Sequence, residues 1–279
     1  MKTFESKWEG NDGITFFMQG WEPDTDPKAL IALVHGLGEH SGRYIHVGKV
    51  MAAAGYALSG FDLRGHGRSS GARGHSSSLN AYMQDIRQFL DLMAQRYTEL
   101  PRFLYGHSLG GLLSLSYAIQ YGADLIGVIV TGAALRSSLQ EQKAKLMIAK
   151  LLGTFMPTMT IQSGLDPTTI SRDQEVVNAY VSDKLVHYNT SLGFGKAALS
   201  AIDLCFARAG EFTTPLLIMH GTADKLTYPS GSEDFARLAS GHNKDVTLKL
   251  WDGLYHELHN EPEKAEVFKV TVEWVGKRS

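Results

Sequence analysis

Ser108, Asp224 and His256 have the types and the chain order for nucleophilic acyl transfer. A serine hydroxyl attacks a carbonyl only if a base takes its proton, and that base needs an orienting acid. Ser108 sits in Gly106-His107-Ser108-Leu109-Gly110, between the short apolar run Arg102 to Tyr105 and an apolar helical pattern beginning at Leu109. A strand, a Gly-x-Ser-x-Gly turn and a helix together force the serine outward and set the free N–H groups of the helix start beside it. Asp224 follows the apolar run Leu216 to Met219, and His256 follows the run Val246 to Trp251, so both are expected in loops at strand ends. The oxyanion of a tetrahedral intermediate needs two N–H donors. Leu109, next after the serine, supplies one, and Leu37 in His35-Gly36-Leu37-Gly38-Glu39-His40 supplies the other.

Each of these residues has rivals. Gly67-Arg68-Ser69-Ser70-Gly71 carries the same Gly-x-Ser-x-Gly pattern, but no helical pattern follows it, so Ser69 is read as part of a flexible polar loop. His220 precedes Asp224 and breaks the chain order; it is expected to support the strand end. His259 competes with His256 as the base and lies nearer the last helix. The run His256-Glu257-Leu258-His259 is one residue short of a zinc-protease motif and has no third ligand. The pair Gly36-x-Gly38 lacks the third glycine of a dinucleotide loop.

Strand and helix patterns alternate through most of the 279 residues. A hairpin is expected around Gly10-Asn11-Asp12-Gly13, then strands at 30–34, 56–61, 102–106, 125–131, 215–219 and 246–251, separated by helices. This predicts an α/β fold with a mostly parallel central sheet and helices on both faces, and sites at the carboxyl ends of its strands. The alternation stops across residues 133–210, which are expected to form an inserted helical cap; 1–132 and 211–279 form the core. A stripe of Ala144, Ile148, Leu151 and Phe155 runs through the cap. Either it packs on the core, or its end, with Leu152, Phe155, Met156 and Met159, lines a tunnel for an acyl chain.

A net charge of −2 argues against nucleic acid as a partner. One cysteine, Cys205, excludes an intrachain disulfide and a thiolate metal cluster. Neither a signal-peptide pattern nor an apolar run of membrane-spanning length is seen, which predicts a cytoplasmic protein with at most transient membrane contact through the cap.

Beyond these readings, six segments resemble motifs of the monoacylglycerol lipase family of the α/β-hydrolase superfamily. They are His35 to Tyr44, Asp62 to Ser69, Gly71 to His75, Gly106 to Gly111, Ile170 to Asp173 and Tyr255 to Glu261. The resemblance runs nearly end to end. It implies a serine ester hydrolase that cleaves monoacylglycerols through an acyl-enzyme, without cofactor or metal. It also implies a small polar alcohol pocket at Glu39, Arg43 and His259, beside the Leu37 backbone. Leu37 and Leu109 stand where the family often has alanine and methionine, and Leu37 narrows that pocket. Lysophospholipases and general carboxylesterases share the motifs and stay open as alternatives, as does a slow-turnover ligand receptor on the same fold.

Overall fold

The structure is a computed structural model that describes residues 1–137 and 153–279. Ten strands and seven α-helices are present among the described residues. The chain opens with β1 (Lys2–Glu9) and β2 (Thr15–Glu22), an antiparallel pair closed where Gly10 N–H donates to the Ile14 carbonyl at 2.8 Å. There follow β3 (Leu30–Val34), α1 (Ile45–Ala53), β4 (Ala57–Phe61), α2 (Leu79–Arg96), β5 (Arg102–His107), α3 (Leu109–Tyr121) and β6 (Gly127–Thr131). After the inserted segment come β9 (Leu216–Gly221), α6 (Pro229–Ala239), β10 (Val246–Trp251) and α7 (Lys264–Gly276). The sheet order is β1-β2-β4-β3-β5-β6-β9-β10, parallel from β4 to β10.

The central strands are apolar on both faces because helices cover both. Leu30, Ala32 and Val34 of β3 join the core under α2 and α3, while Ile31 and Leu33 join the core under α1 and α7. The chain passes from β3 outward to β4 and then returns to the other side of β3 for β5. This reversal sets the loop after β3 beside the turn after β5, the place where parallel sheets open a crevice at their carboxyl edge. Leu37 and Ser108 lie in those two connections.

The described part of the insertion holds two three-residue strands, β7 (Thr160–Gln162) and β8 (Asn189–Ser191), with α4 (Gln174–Ser182) and α5 (Leu192–Arg208). The purely helical expectation therefore misses a small antiparallel pair. Strands of three residues are too short for an alternating pattern to register. Ala201 and Cys205 of α5 are fully buried in the same core as α2 and α3, so the end of this helix packs as part of the main body. The insertion is tied to the core at several loops: the His187 N–H donates to the Gly38 carbonyl at 2.9 Å, and the Ser191 N–H donates to the Gly74 carbonyl at 3.0 Å.

Candidate active site

Ser108 stands between β5 and α3 with φ 55° and ψ −115°, a conformation that costs a non-glycine residue free energy. The surroundings hold it there. Its N–H donates to the Thr131 carbonyl at 2.9 Å, and its carbonyl accepts from Ala134 and Leu112 N–H, each at 3.1 Å. Gly106 and Gly110 make the tight turn feasible. A Cβ on Gly110 would collide with the Val34 carbonyl, and one on Gly106 with the Gly110 carbonyl.

The loop after β9 carries Asp224 and the loop after β10 carries His256. Both are buried, at 5% and 4% exposure. His256 Nδ1 lies 2.7 Å from Asp224 Oδ2. The Asp224 carboxylate also accepts from Leu226 N–H (2.8 Å), Thr227 N–H (3.0 Å) and the Thr227 hydroxyl (2.9 Å). Burial opposes ionisation of Asp224, but the facing His256 and His220 rings outweigh it and hold the carboxyl well below the usual carboxylate range. On His256, burial opposes the charged ring, and the Asp224 carboxylate again outweighs it and raises the pKa. An ionised carboxylate only accepts, so Nδ1 carries the proton toward Asp224 and Nε2 is left as the basic nitrogen. His220 braces the acid from below, with Nε2 at 3.0 Å from Asp224 Oδ2 and Nδ1 at 2.8 Å from Ser232 Oγ. Thr227, which the sequence did not single out, also lies 3.2 Å from His256 Nδ1.

Ser108, Leu37 and His256 line two cavities that meet at the serine. The larger, of about 740 Å³, is mainly apolar and is bounded by Leu109 and Leu112 of α3, Phe194, Ala198, Leu199 and Ile202 of α5, and Leu226. The smaller, of about 20 Å³, is polar on one side. Glu39, His107 and Glu257 face it, with Leu165, Ile170 and Tyr180 of the insertion opposite. Among the described residues the N–H groups of Leu37 and Leu109 find no partner, as an oxyanion site requires.

The remaining expected site residues divide. Glu39 reaches the small cavity, and its carboxylate accepts from Gly36 N–H (2.7 Å), the Tyr44 hydroxyl (2.8 Å) and Arg43 Nη1 (2.7 Å). Burial opposes that charge, but Arg43, His107 and His35 pull the pKa down to about 2. Arg43 stands behind the wall. Its guanidinium is taken up by Glu39 and by a two-pronged pair with Glu257 (2.6 and 2.7 Å), under the Tyr180 ring at 4.6 Å. His259 is sealed off at 0% exposure, stacked on Tyr44 with centroids 4.7 Å apart, and neither ring nitrogen has a partner. Burial drives its pKa well below the ordinary value. It approaches Asp224 through no hydrogen bond among the described residues, so geometry places His256 at the acid and not His259.

Of the tunnel residues read from the sequence, Phe155, Met156 and Met159 are absent from the described lining of the cavity. Phe155, Met156 and Met159 are 76%, 50% and 46% exposed, and Leu152 lies outside the described residues. The wall comes instead from α5, where Phe194, Ala198 and Ile202 recur every four residues. That spacing was visible in the sequence. Ser69 differs from its expectation too. It is 3% exposed, accepts from Phe17 N–H at 2.9 Å and donates to the Asp62 carbonyl at 2.5 Å, so it is a buried brace and no flexible loop.

The family described as serine aminopeptidase, S33 (Hydrolase_4), matches residues 25–263. The chain is 43% identical over 270 residues to an uncharacterized abhydrolase domain-containing protein of Dictyostelium discoideum, covering 96% of this chain but only 28% of that longer protein. It is 36% identical over 273 residues to the monoacylglycerol lipase of Mycolicibacterium smegmatis, covering 97% of this chain and 96% of that one. The crystal structure of Paleococcus ferrophilus monoacylglycerol lipase superposes with a TM-score of 0.84 at 32% identity, over 100% of both chains.

Proposed function

The chain belongs to the serine aminopeptidase S33 family and has the α/β-hydrolase fold, and from that premise we propose that it hydrolyses monoacylglycerols to fatty acid and glycerol. One observation carries the reading. The Ser108 turn lies where a large, mainly apolar cavity meets a small one with Glu39 and Glu257 in its wall, which supports an ester with a large apolar acyl part on one side and a small hydroxylated alcohol on the other. The relatives named monoacylglycerol lipase support the same substrate class.

In this reading Ser108 attacks the ester carbonyl while His256 Nε2 takes its proton. Asp224 keeps the ring oriented and stabilises the imidazolium. The Leu37 and Leu109 N–H groups hold the oxyanion. His256 returns the proton to the departing alcohol, and water then cleaves the acyl-enzyme by the same steps. The acyl chain lies along Leu112, Phe194, Ala198 and Ile202. The alcohol lies toward Glu39 and Glu257, on the side of Ser108 where Leu165, Ile170 and Tyr180 form the facing wall. Arg43 and His259 support that pocket from behind. Described residues of the 133–210 segment, among them Leu165, Tyr180 and Phe194, contribute walls to the two cavities, which supports reading that segment as the cap. Exposed Phe155, Met156, Met159 and Ile161 on the described part of that segment support transient contact with a lipid surface. No helix among the described residues is long and apolar enough to cross a membrane.

The test is a panel of monoacylglycerols, lysophospholipids and simple alkyl esters of matched acyl chain, compared by kcat/KM. Monoacylglycerols are expected to lead. Equal or higher values for the alkyl esters would make the protein a general carboxylesterase, and higher values for lysophospholipids would move it to that class.

A further inference from the structure

Glu257 follows the histidine of the site directly and was not assigned a role by the sequence. It is 3% exposed and lines the small cavity beside Ser108. Its carboxylate accepts from both Nη atoms of Arg43 and from the Asn260 side-chain amide at 2.7 Å. Glu39 faces the same cavity, and Arg43 bridges the two acids from behind.

The charges therefore do not cancel where the alcohol must sit. Two carboxylates share one guanidinium, which leaves one net negative charge on the group, and both acidic residues, but not Arg43, belong to the cavity wall. Among the described residues that line the two cavities, the lysine or arginine is Lys225, which lines the larger cavity together with Asp166. Arg172 is committed to Glu261 and Glu263. Glu39 cannot be the adjustable member, because its oxygens hold the Gly36 N–H and the Tyr44 hydroxyl of the oxyanion loop. Glu257 makes no bond to that loop other than through Arg43. Removing its charge leaves Arg43 balanced by Glu39, so no buried cation is stranded.

We propose that Glu257 is a specificity-determining residue that makes the alcohol pocket net anionic and so excludes esters whose alcohol part carries a phosphate or other anion. The enzyme then selects neutral glyceryl esters against lysophospholipids with anionic headgroups. This deepens the monoacylglycerol reading and rests on it for the side of Ser108 to which the alcohol binds. A like charge held several ångströms away in a partly desolvated site changes relative rates by about tenfold or more.

The experiment compares wild type with Glu257→Gln, which keeps the shape and an acceptor oxygen. Substrates are the butyrate monoesters of glycerol, of glycerol 3-phosphate, and of the diol bearing trimethylammonium in place of phosphate. Wild type is expected to prefer the glyceryl over the phosphoglyceryl ester at least tenfold in kcat/KM, and to turn over the ammonium ester at least tenfold better than the phosphate-bearing one. In Glu257→Gln the glyceryl-to-phosphoglyceryl ratio is expected to narrow by about tenfold. An unchanged ratio would overturn the proposal. So would equal rejection of both charged esters by wild type, because that points to size and needs no variant to fold. Phenyl butyrates bearing para-sulfonate or para-trimethylammonium groups read the charge effect without glyceryl recognition. If no glyceryl ester is turned over while the phenyl esters keep the order ammonium above sulfonate, and Glu257→Gln erases that order, the monoacylglycerol reading fails and the charge assignment stands.

Discussion

His256 Nδ1 lies 2.7 Å from Asp224 Oδ2, and this one contact orders the whole candidate site. It fixes the ring's tautomer and leaves Nε2 as the basic nitrogen of a residue that lines both cavities with Ser108.

The contact has a sign that can be measured. The Asp224 carboxylate favours the protonated ring and outweighs the burial that opposes it, so the folded-state pKa of His256 is raised. Activity is therefore expected to rise with pH along a limb lying above the ordinary imidazole value, since only the neutral ring accepts the serine proton. Asp224→Asn should move that limb to lower pH and reduce kcat by about 10³-fold or more. A limb that stays in place in Asp224→Asn would show that another group titrates there.

Thr227 bonds the acid at 2.9 Å and lies near the His256 ring, yet it takes no part in proton transfer. Thr227→Val should lower kcat by roughly tenfold, the scale of one hydrogen bond to a charged group, with KM nearly unchanged. A loss confined to KM would place Thr227 in substrate binding instead.

The apolar cavity is walled by α5. Ile202→Trp should fill part of it and shift preference from long to short acyl chains, because each buried methylene contributes about 0.8 kcal/mol that only a long chain collects. Phe155→Ala, at a side chain 76% exposed, should leave the chain-length profile as it is. The opposite pattern in the two variants would return the tunnel to the Phe155 region.

Ser69 and Ser108 share a sequence pattern but not a role. Ser69→Ala removes two buried hydrogen bonds, one in each direction, and should lower stability by about 1–3 kcal/mol while kcat per folded molecule is retained. Denaturant unfolding and active-site titration read the two quantities separately. Loss of kcat without loss of stability would contradict the assignment.

Acid should unfold the protein in part through Glu39. Its carboxyl is held at about 2 against an ordinary 4.5, so its stabilisation is present above pH 4.5 and is lost as pH falls toward 2. Glu39→Gln should be less stable near neutrality and show a shallower fall of Tm below pH 4.5. Parallel curves for the two proteins would exclude this source of acid sensitivity.

The local signals in the sequence were strong wherever the backbone itself demanded a residue type. The glycines around Ser108 are dictated by neighbouring carbonyls, and the apolar runs of β3, β5 and β9 by burial on both faces, so turn and sheet could be read directly. The order of Ser108, Asp224 and His256 was legible because each sits at a strand end. What could not be read was partnership across distance. Nothing near Glu257 in the chain points to Arg43, 214 positions away. The described wall of the apolar cavity was missed for a related reason: periodicity marks an apolar face but not what it faces, and the stripe of Phe194, Ala198 and Ile202 was not singled out. The strands β7 and β8 were too short to signal at all.

Active-site labelling reads out directly whether Ser108 is the nucleophile. The protein is treated with a fluorophosphonate, digested, and the modified residue identified by mass spectrometry, alongside Ser108→Ala and Ser69→Ala. A single adduct is expected on Ser108, retained in Ser69→Ala and absent in Ser108→Ala, with ester hydrolysis lost by roughly 10⁴- to 10⁶-fold only when Ser108 is replaced. An adduct on Ser69, or hydrolysis that persists in a folded Ser108→Ala protein, would contradict it.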